Sequence, residues 1–399
     1  MTPVDAPSAD ARRLTADDLD AYLRLREGSF GYPGRSDEVL SALAARLPRT
    51  WGAFVGGTLA SSVTVHAYRG FVAGVEVAIG GMAGIQTSPE HRRGGHAARL
   101  MRRALDEGRA EGFGWSLLYP FDAAFYGRFG WASVPTSVPL QLPPERLPAG
   151  SAVGLPRHDG AGCDLRRAYA RFAPTRTFAD TRRQGPWDPW QDLAGTPGAR
   201  VLGFAGDGAF LVVRLHDDGE ASTRLDVLDL GWCDAAGRDA VYGALASFRG
   251  QAALVRVDPP WDDPVAADQL RAFSRPGPTG LMARVADAEL ALAPLRAVAD
   301  DDAPLELPPV TVRLVDAYAP WNDGSWRLTP GATGCGVAPV RGAADATLDV
   351  RGLTLLLAGA AAPGDVRRLG LAEGDGRALR VVAALAGGRT PYRSPIDRF

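Results

Sequence analysis

The six residues 92–97, which read RRGGHA, have the composition of an anion-binding turn. Glycine lets backbone N–H groups approach a phosphate closely, and a helix that begins just after such a turn directs its positive dipole end at the same point. Arg92 and Arg93 can add charge-assisted hydrogen bonds to phosphate oxygens. The sequence therefore predicts a phosphate or pyrophosphate site at this turn.

A second candidate is Tyr126, which lies in the run FDAAFYGRFG at 121–130. A phenol with a pKa of about 10 is protonated at pH 7 and can donate its proton to a leaving group. Such general-acid catalysis suits a reaction that releases a thiolate, for example aminolysis of a thioester. The alternative is a core tyrosine whose hydroxyl donates to a backbone carbonyl. Both interpretations stay open on the residues alone.

The elements around these residues predict how they are positioned. A buried strand at 76–86 leads into the turn, and a helix at 95–109 follows it with apolar residues on one face. A short strand at 115–119, a short helix at 122–128 and a strand at 131–142 come next. This order predicts a mixed α/β layer of about the size of one domain, with the anion turn between a strand and a helix.

The length of 399 residues predicts more than one domain. A Pro/Gly-rich break near 145 and a second boundary near 285 divide the chain into segments 1–145, 146–285 and 286–399. The middle segment has strands and helices, but no glycine-rich loop follows any of its strands. We therefore expect only the first segment to hold an anion site.

Composition excludes several classes of function. A net charge of −2 provides no basic field for nucleic acid or a membrane surface. All 44 basic residues are arginine, so no lysine can act as nucleophile, base or Walker-loop anchor. Cys163, Cys233 and Cys335 are far apart and have no metal-ligand spacing, so neither a disulfide framework nor a metal site is expected. The polar N-terminus and the absence of a long apolar run predict a cytoplasmic protein.

The turn resembles the R-x-x-G-x-A pyrophosphate loop of GNAT-type acetyltransferases. Together, PEHRRGG at 89–95, AAFYGRFG at 123–130, PWNDG at 320–324 and ADATLD at 344–349 resemble the pattern of Eis-type (enhanced intracellular survival) N-acetyltransferases over essentially the whole chain. This resemblance implies an α/β (α+β) fold. Segments 1–145 and 146–285 would be tandem GNAT-type domains, the second without a cofactor site. Segment 286–399 would be a sterol-carrier-protein-like α/β domain, in a homohexamer.

The resemblance also implies the parts of an active site. Acetyl-CoA would be the co-substrate, no metal would be needed, and Tyr126 would be the general acid. The general base would be the C-terminal carboxylate of Phe399, supplied by the third domain. The implied cofactor-binding residues are Ile85, Gln86, Thr87, Arg92, Arg93, Gly94, Gly95, His96, Ala97, Ala98, Phe121 and Asp122. Glu27 and Asp397 are acidic residues that we expect near the acceptor amine.

The predicted function is acetyl transfer from acetyl-CoA to primary amines, aminoglycosides or other polyamines among them, by direct attack in a ternary complex. Arg26 and Arg398 stand next to the expected acidic residues and work against a polycationic substrate. One alternative is a carrier of a lipid or other apolar ligand whose GNAT domain is vestigial. The other is acetylation of lysine in proteins or peptides.

Overall fold

A computed structural model describes residues 10–31, 36–150, 155–158, 163–182, 199–217, 223–267, 280–298, 303 and 305–397. These residues form three β-sheets with helices packed against them. The predicted mixed α/β class is confirmed by this arrangement.

The N-terminal segment is a sheet with one long amphipathic helix across it. Its elements are β1 (Asp10–Arg13), α1 (Leu19–Phe30), α2 (Asp37–Arg46), β2 (Thr50–Val55), β3 (Thr58–Val72), β4 (Val75–Thr87), α3 (His96–Ala110), β5 (Trp115–Leu118), α4 (Ala123–Gly127) and β6 (Ala132–Val134). Leu100, Met101 and Leu105 of α3 are buried against the sheet, as the predicted apolar face requires.

β4 and β5 diverge at one end. They pair in parallel over four residues, and this pairing ends at Met82 opposite Leu118. On its other edge β4 shifts register against β3 next to Gly84, whose φ of 54° is left-handed. Such a bulge bends the strand that carries it, and glycine adopts this conformation without a steric penalty. The result is a gap between the end of β4 and the end of β5.

The central segment repeats part of this pattern. Its elements are β7 (Leu140–Leu142), β8 (Arg157–His158), α5 (Cys163–Phe172), β9 (Ala199–Gly206), β10 (Ala209–Asp217), β11 (Thr223–Trp232), α6 (Ala235–Ala246) and β12 (Leu254–Val257). β11 and β12 are parallel neighbours connected through α6, as β4 and β5 are through α3. Only Cys233 and Asp234 separate β11 from α6, and the Asp234 carboxylate accepts from the Gly237 N–H at 2.7 Å. The start of this helix is therefore capped by its own chain.

Two predictions about strands differ from the structure: the extent of the strand at 131–142 and the domain to which the strand before residue 285 belongs. The single strand predicted at 131–142 is wrong, since its two ends form β6 in the first sheet and β7 in the second. β13 (Leu281–Val285) pairs between β5 and β6 in the first sheet, although a boundary at 285 assigns it to the central segment. Hydrophobic periodicity shows which face of a strand is buried but not which neighbour it pairs with.

The C-terminal segment packs directly on the first sheet. Its elements after β13 are α7 (Ala288–Leu292), β14 (Val310–Val315), β15 (Gly324–Pro330), β16 (Cys335–Val340), β17 (Ala346–Asp349), α8 (Val350–Leu357), α9 (Pro363–Arg368), β18 (Ala372–Gly374) and α10 (Gly376–Ala384). α8 is buried nearly all round because it shares one hydrophobic core with strands of the first and third sheets. The first and third segments are thus joined by a continuous core.

A buried ion pair reinforces this junction. Arg284 of β13 is fully buried and donates to the Asp316 carboxylate and to the Phe129 carbonyl. Asn322 donates to Asp316 at 3.0 Å and to the Ala286 carbonyl at 3.2 Å. The PWNDG run, which served as a family marker in the sequence, therefore fastens the C-terminal segment to the first sheet.

We predict that Asp316→Ala lowers the free energy of unfolding by about 3–5 kcal/mol, because it leaves the Arg284 guanidinium buried without its carboxylate. Urea unfolding followed by fluorescence measures this loss. Asp207→Ala is the control, since its ion pair with Arg171 is exposed and should contribute less than about 1 kcal/mol. Equal, small losses in both variants would contradict the prediction.

Candidate active site

A cavity of about 850 Å³ lies at the gap between the ends of β4 and β5. Its lining residues are Ser29, Phe30, Ile85, Gln86, Thr87, His91, Arg92, Arg93, Gly95, His96, Ala97, Ala98, Phe121, Phe125, Arg128 and Phe129. All of the predicted cofactor-binding residues line it except Gly94 and Asp122. The structure thus gathers residues from β4, the turn, α3 and the segment after β5 around one space.

The turn before α3 leaves backbone donors open. Arg93 and Gly95 have left-handed backbones, with φ of 67° and 72°. Turns with this alternation form anion-binding concavities. No side chain caps α3, and its first turn contains no acidic residue. Several other helices carry an aspartate cap: Asp122, Asp234, Asp287, Asp349 and Asp375. The first N–H groups of α3 therefore remain free for an anion.

Gly94 is required because of the side chain beneath it. A Cβ at this position would lie 2.7 Å from Nε2 of His96, which is itself 6% exposed. His96 Nδ1 lies 2.9 Å from the Arg99 guanidinium. Because arginine can only donate, Nδ1 accepts and the neutral ring carries its proton on Nε2. Burial, together with Arg99 and His91, lowers the pKa of His96. With Nδ1 already accepting from Arg99, the ring supports the turn.

Tyr126 lies directly behind the cavity wall. It belongs to α4, is 2% exposed, and its ring packs against Phe121 and Phe125 with centroid distances of 5.4 and 5.0 Å. Burial, with a contribution from Asp122, raises the pKa of Tyr126 above its ordinary value. No described residue forms a hydrogen bond with its hydroxyl. The backbone-carbonyl partner expected of a core tyrosine is therefore not found among the described residues.

The C-terminal segment also contacts the start of α3. Tyr318 donates from its hydroxyl to the Ala98 carbonyl, and its ring packs on Phe129 at 4.9 Å. Ala98 and Phe129 both line the cavity. Nothing in the local sequence around Tyr318 indicated this contact, because it depends on the docking of two distant segments.

The last described residues return to the centre of the molecule. Thr177 pairs with the tail through N–H donation to the Thr390 carbonyl at 3.0 Å and acceptance from the Tyr392 N–H at 2.9 Å. Arg393 is buried, with its guanidinium 4.6 Å from the centre of the Tyr68 ring. Tyr119, directly after β5, is among the groups that influence the pKa of Arg393. The tail thus lies within electrostatic range of Tyr119, the residue that follows β5.

A buried ion cluster fixes this tail. Arg182 donates to both oxygens of Asp397, at 2.9 and 3.1 Å, and to Asp229 at 2.8 Å. Arg393 donates to Asp180 at 3.3 Å and to the Asp397 carbonyl. Burial raises the pKa of Asp180 and of Asp229 despite these partners. Because both Asp397 oxygens accept from Arg182, this carboxylate anchors the tail.

The remaining predicted site residues lie outside the cavity lining or outside the described residues. Glu27 is on α1, one turn before the cavity, but does not line it. Asp122 caps α4 by accepting from the Ala124 N–H at 2.8 Å. Phe399, the predicted general base, lies outside the described residues. His91, which flanks the anion turn in the sequence, also lines the cavity. The sequence analysis missed the other lining residues: Ser29, Phe30, Phe125, Arg128 and Phe129. Phe125, Arg128 and Phe129 belong to the same run, FDAAFYGRFG, that contains Tyr126. Their closeness to Tyr126 in the sequence could have indicated that they line the cavity.

Within the described ranges, no group of three or more His, Cys, Asp or Glu side chains could hold a metal ion. The helices described are all too short or too polar to cross a bilayer.

Comparison with known proteins assigns the two outer segments. A model of the acetyltransferase (GNAT) domain matches residues 10–134, and a model of the sterol carrier protein domain matches residues 290–394. An uncharacterized N-acetyltransferase of Streptomyces coelicolor is 30% identical over 338 residues, which span 78% of this chain and 77% of that protein. The chain belongs to the GNAT N-acetyltransferase family. An uncharacterized N-acetyltransferase of Streptomyces avermitilis is 28% identical over 401 residues, with 94% of each chain covered.

Solved structures show that this N-acetyltransferase shares its complete fold with several others. Eis1 from Mycobacterium abscessus superposes with a TM-score of 0.76 at 21% identity, covering 98% of this chain and 100% of that one. A GCN5-related N-acetyltransferase from Anabaena variabilis superposes with a TM-score of 0.78 at 17% identity, with the same coverage. The predicted Eis-type organisation, a GNAT domain followed by a C-terminal sterol carrier protein domain, is therefore confirmed at the level of family and fold.

Proposed function

We propose that this N-acetyltransferase moves the acetyl group of acetyl-CoA to the nitrogen of a small-molecule primary amine, in one step within a ternary complex. The observation that carries the proposal is the cavity itself. It has an uncapped helix start and two arginines at one end, and the buried phenol of Tyr126 behind its wall.

The residues present fit acetyl-CoA. The free N–H groups at the start of α3 suit a pyrophosphate, and Arg92 and Arg93 add positive charge beside it. Beyond Met82 the edge of β4 that faces away from β3 is not paired with β5, so it can hydrogen-bond the amide groups of the pantetheine arm. Bound acetyl-CoA supplies an activated thioester, which an amine can attack.

Tyr126 is proposed as the general acid. When the carbon–sulfur bond breaks, the electron pair stays on sulfur, and the phenol proton can pass to that thiolate. A raised pKa keeps the phenol protonated at neutral pH. Its hydroxyl is not committed to another described residue, which leaves it available as a donor.

The carboxylate of Phe399 is proposed as the base that takes the amine proton, directly or through water. In support, the cluster of Arg182, Arg393 and Asp397 fixes the chain two residues earlier. An α-carboxyl has an ordinary pKa of about 3.3–3.7, so it would need a desolvated environment to accept a proton effectively.

Two features favour direct transfer by an active enzyme over the alternatives. No cysteine is among the described residues that line the cavity, so a covalent acyl-cysteine has no support there. The apolar surface of α8 is already packed between two sheets, which leaves it unavailable to an apolar cargo. The proposed homohexamer rests on the resemblance alone, and sedimentation of the purified protein would test it.

The function is tested by measuring release of CoA thiol from acetyl-CoA, with and without a panel of primary amines. We expect release to depend on the amine, with an N-acetylated product identified by mass spectrometry. Release that no amine accelerates, in a protein that still binds an apolar ligand, would support the carrier alternative instead. Acetylation of peptide lysines alone would support a protein acetyltransferase.

We predict that Tyr126→Phe lowers kcat about 100-fold with little change in the KM for acetyl-CoA, because only the proton donor is removed. In the wild type, the pKa of the Tyr126 phenol is raised, so the phenol stays protonated as the pH approaches 10. We therefore expect no loss of kcat from its ionisation in that range. Tyr242→Phe is the control. It removes a buried hydroxyl that donates to Asp263 at 3.0 Å in the central segment, and should lower stability but not kcat. Wild-type kcat in Tyr126→Phe would contradict the assignment.

We predict that extending the chain by several residues beyond Phe399 abolishes amine-dependent thiol release, since the carboxylate is then an ordinary amide. Binding of acetyl-CoA, measured by calorimetry, should persist in the extended protein. The same extension at the N-terminus is the control and should leave kcat unchanged. Full activity of the C-terminally extended protein would exclude Phe399 as the base.

A further inference from the structure

A second cavity, of about 980 Å³, lies along the helix that follows the anion turn. Its walls come from β1, β2, α3 and the PWNDG run. His96, in the first turn of α3, lines this cavity and also the cavity at the ends of β4 and β5. The two spaces therefore adjoin at the turn where a pyrophosphate would bind.

Arg99, Arg102 and Arg103, the arginine face of α3, line the second cavity and are exposed. They are three and four residues apart, so their side chains are neighbours on one side of the helix and repel one another. In the part of the chain that the structure describes, none of them forms an ion pair with a carboxylate. Arg99 contacts Nδ1 of His96 at 2.9 Å, and the Arg103 guanidinium lies 4.2 Å from the centre of the Trp51 ring. The described neighbours therefore leave the positive charge of this face unbalanced.

The two acids of the second cavity have other partners. Asp106 lies 3.5 Å from Arg109. Glu107 accepts from Arg13 and, at 2.7 Å, from the indole N–H of Trp51. An anion that enters this cavity would thus meet the arginine face without having to displace a described carboxylate from it.

Arg99 connects the arginine face with the turn. A Cβ at Gly95 would lie 3.7 Å from one guanidinium nitrogen of Arg99, so this guanidinium reaches back beside the turn. Helical side chains point toward the N-terminus of their helix, which brings Arg99 to this position. Arg92 and Arg93 already provide the turn with positive charge for a pyrophosphate. A ligand that carries a further phosphate next to its pyrophosphate would contact both sets of arginines.

The corresponding helix of the central segment has no such face. α6 connects two parallel strands as α3 does, but its sequence, AAGRDAVYGALA, contains a single arginine. That residue, Arg238, donates to Asp263, and Asp234 caps the start of the helix. The unpaired arginines therefore accompany the helix with the open anion turn and are not a general feature of this strand–helix–strand unit.

We infer that the arginine face of α3 binds the 3′-phosphate of acetyl-CoA. This inference rests on the proposed acetyltransferase function. The 3′-phosphate is a monoester on the ribose that carries the pyrophosphate, so it lies one sugar ring away from the group at the turn. A phosphate monoester carries a charge of about −1.5 to −2 at pH 7, and guanidinium groups bind its oxygens through charge-assisted hydrogen bonds. Arg99 contacts it beside the turn, and Arg102 and Arg103 complete the site along the helix. The enzyme thereby distinguishes acetyl-CoA from a thioester that lacks this phosphate.

The test compares acetyl-CoA with acetyl-3′-dephospho-CoA at a fixed, saturating concentration of an accepted primary amine. Because the 3′-phosphate is remote from the thioester, we expect its removal to raise the KM for the thioester at least about 5-fold and to change kcat less than about 2-fold. Equal KM values would overturn the inference but leave the acetyltransferase function intact. If no amine is acetylated, the proposed function fails. Calorimetric Kd values for CoA and 3′-dephospho-CoA then decide the inference separately, since tighter binding of CoA supports it and equal or absent binding overturns it.

Variants locate the effect on the arginine face. The double variant Arg102→Gln, Arg103→Gln removes two charges, and the ratio of the two KM values should fall below about 2. This ratio cancels any general effect on folding or on the turn, which acts on both thioesters alike. Arg327→Gln, at an exposed arginine of β15 that lines neither cavity, is the matched control and should keep the wild-type ratio. A wild-type ratio in the double variant, or an equal fall in the control, would overturn the inference.

Discussion

The end of parallel pairing at Met82 and Leu118 is the constraint on which the site depends. Backbone groups inside a sheet normally pair with a neighbouring strand. β4 continues to Thr87 after β5 has ended, so one edge of β4 faces the cavity instead of a strand. β4 bends at Gly84, which has a left-handed φ of 54°. A Cβ at this position would lie 3.2 Å from the Tyr22 hydroxyl. The bend at Gly84 and the end of pairing with β5 together leave the space in which the cavity lies.

The turn that follows is held in an unfavourable conformation by its surroundings. A non-glycine residue such as Arg93 with φ of 67° costs about 1–3 kcal/mol, and such strain persists where neighbouring structure fixes the backbone. His96 supports the turn from below, and Tyr318 holds the first turn of α3 through the Ala98 carbonyl. The described residues of the C-terminal segment therefore contribute to the site without lining the cavity. The attachment of this segment depends on Arg284 and the shared core around α8.

Much of the site was predictable because its signals are local. The glycines and arginines of 92–97, the apolar face of α3 and the position of Tyr126 all lie within one short stretch. The insertion of β13 between β5 and β6 was not predictable, since a short run such as LMARV, buried along its whole length, does not indicate which sheet it joins. The Asp397 carboxylate was expected near the substrate, but its partner Arg182 is 215 positions away in the chain. Phe30 also escaped notice, because a single phenylalanine at a helix end has no distinctive spacing.

The central segment shows what distinguishes a site from a scaffold. β4, α3 and β5 form the same unit as β11, α6 and β12, with parallel strands joined through a helix. A helix start carries partial positive charge and unpaired N–H groups, which either the chain or a ligand must satisfy. In α6 the chain does so with Asp234. In α3 the capping residue is Gly95, which has no side chain to offer. One unit is therefore closed by its own carboxylate, while no described side chain caps the start of the helix in the other.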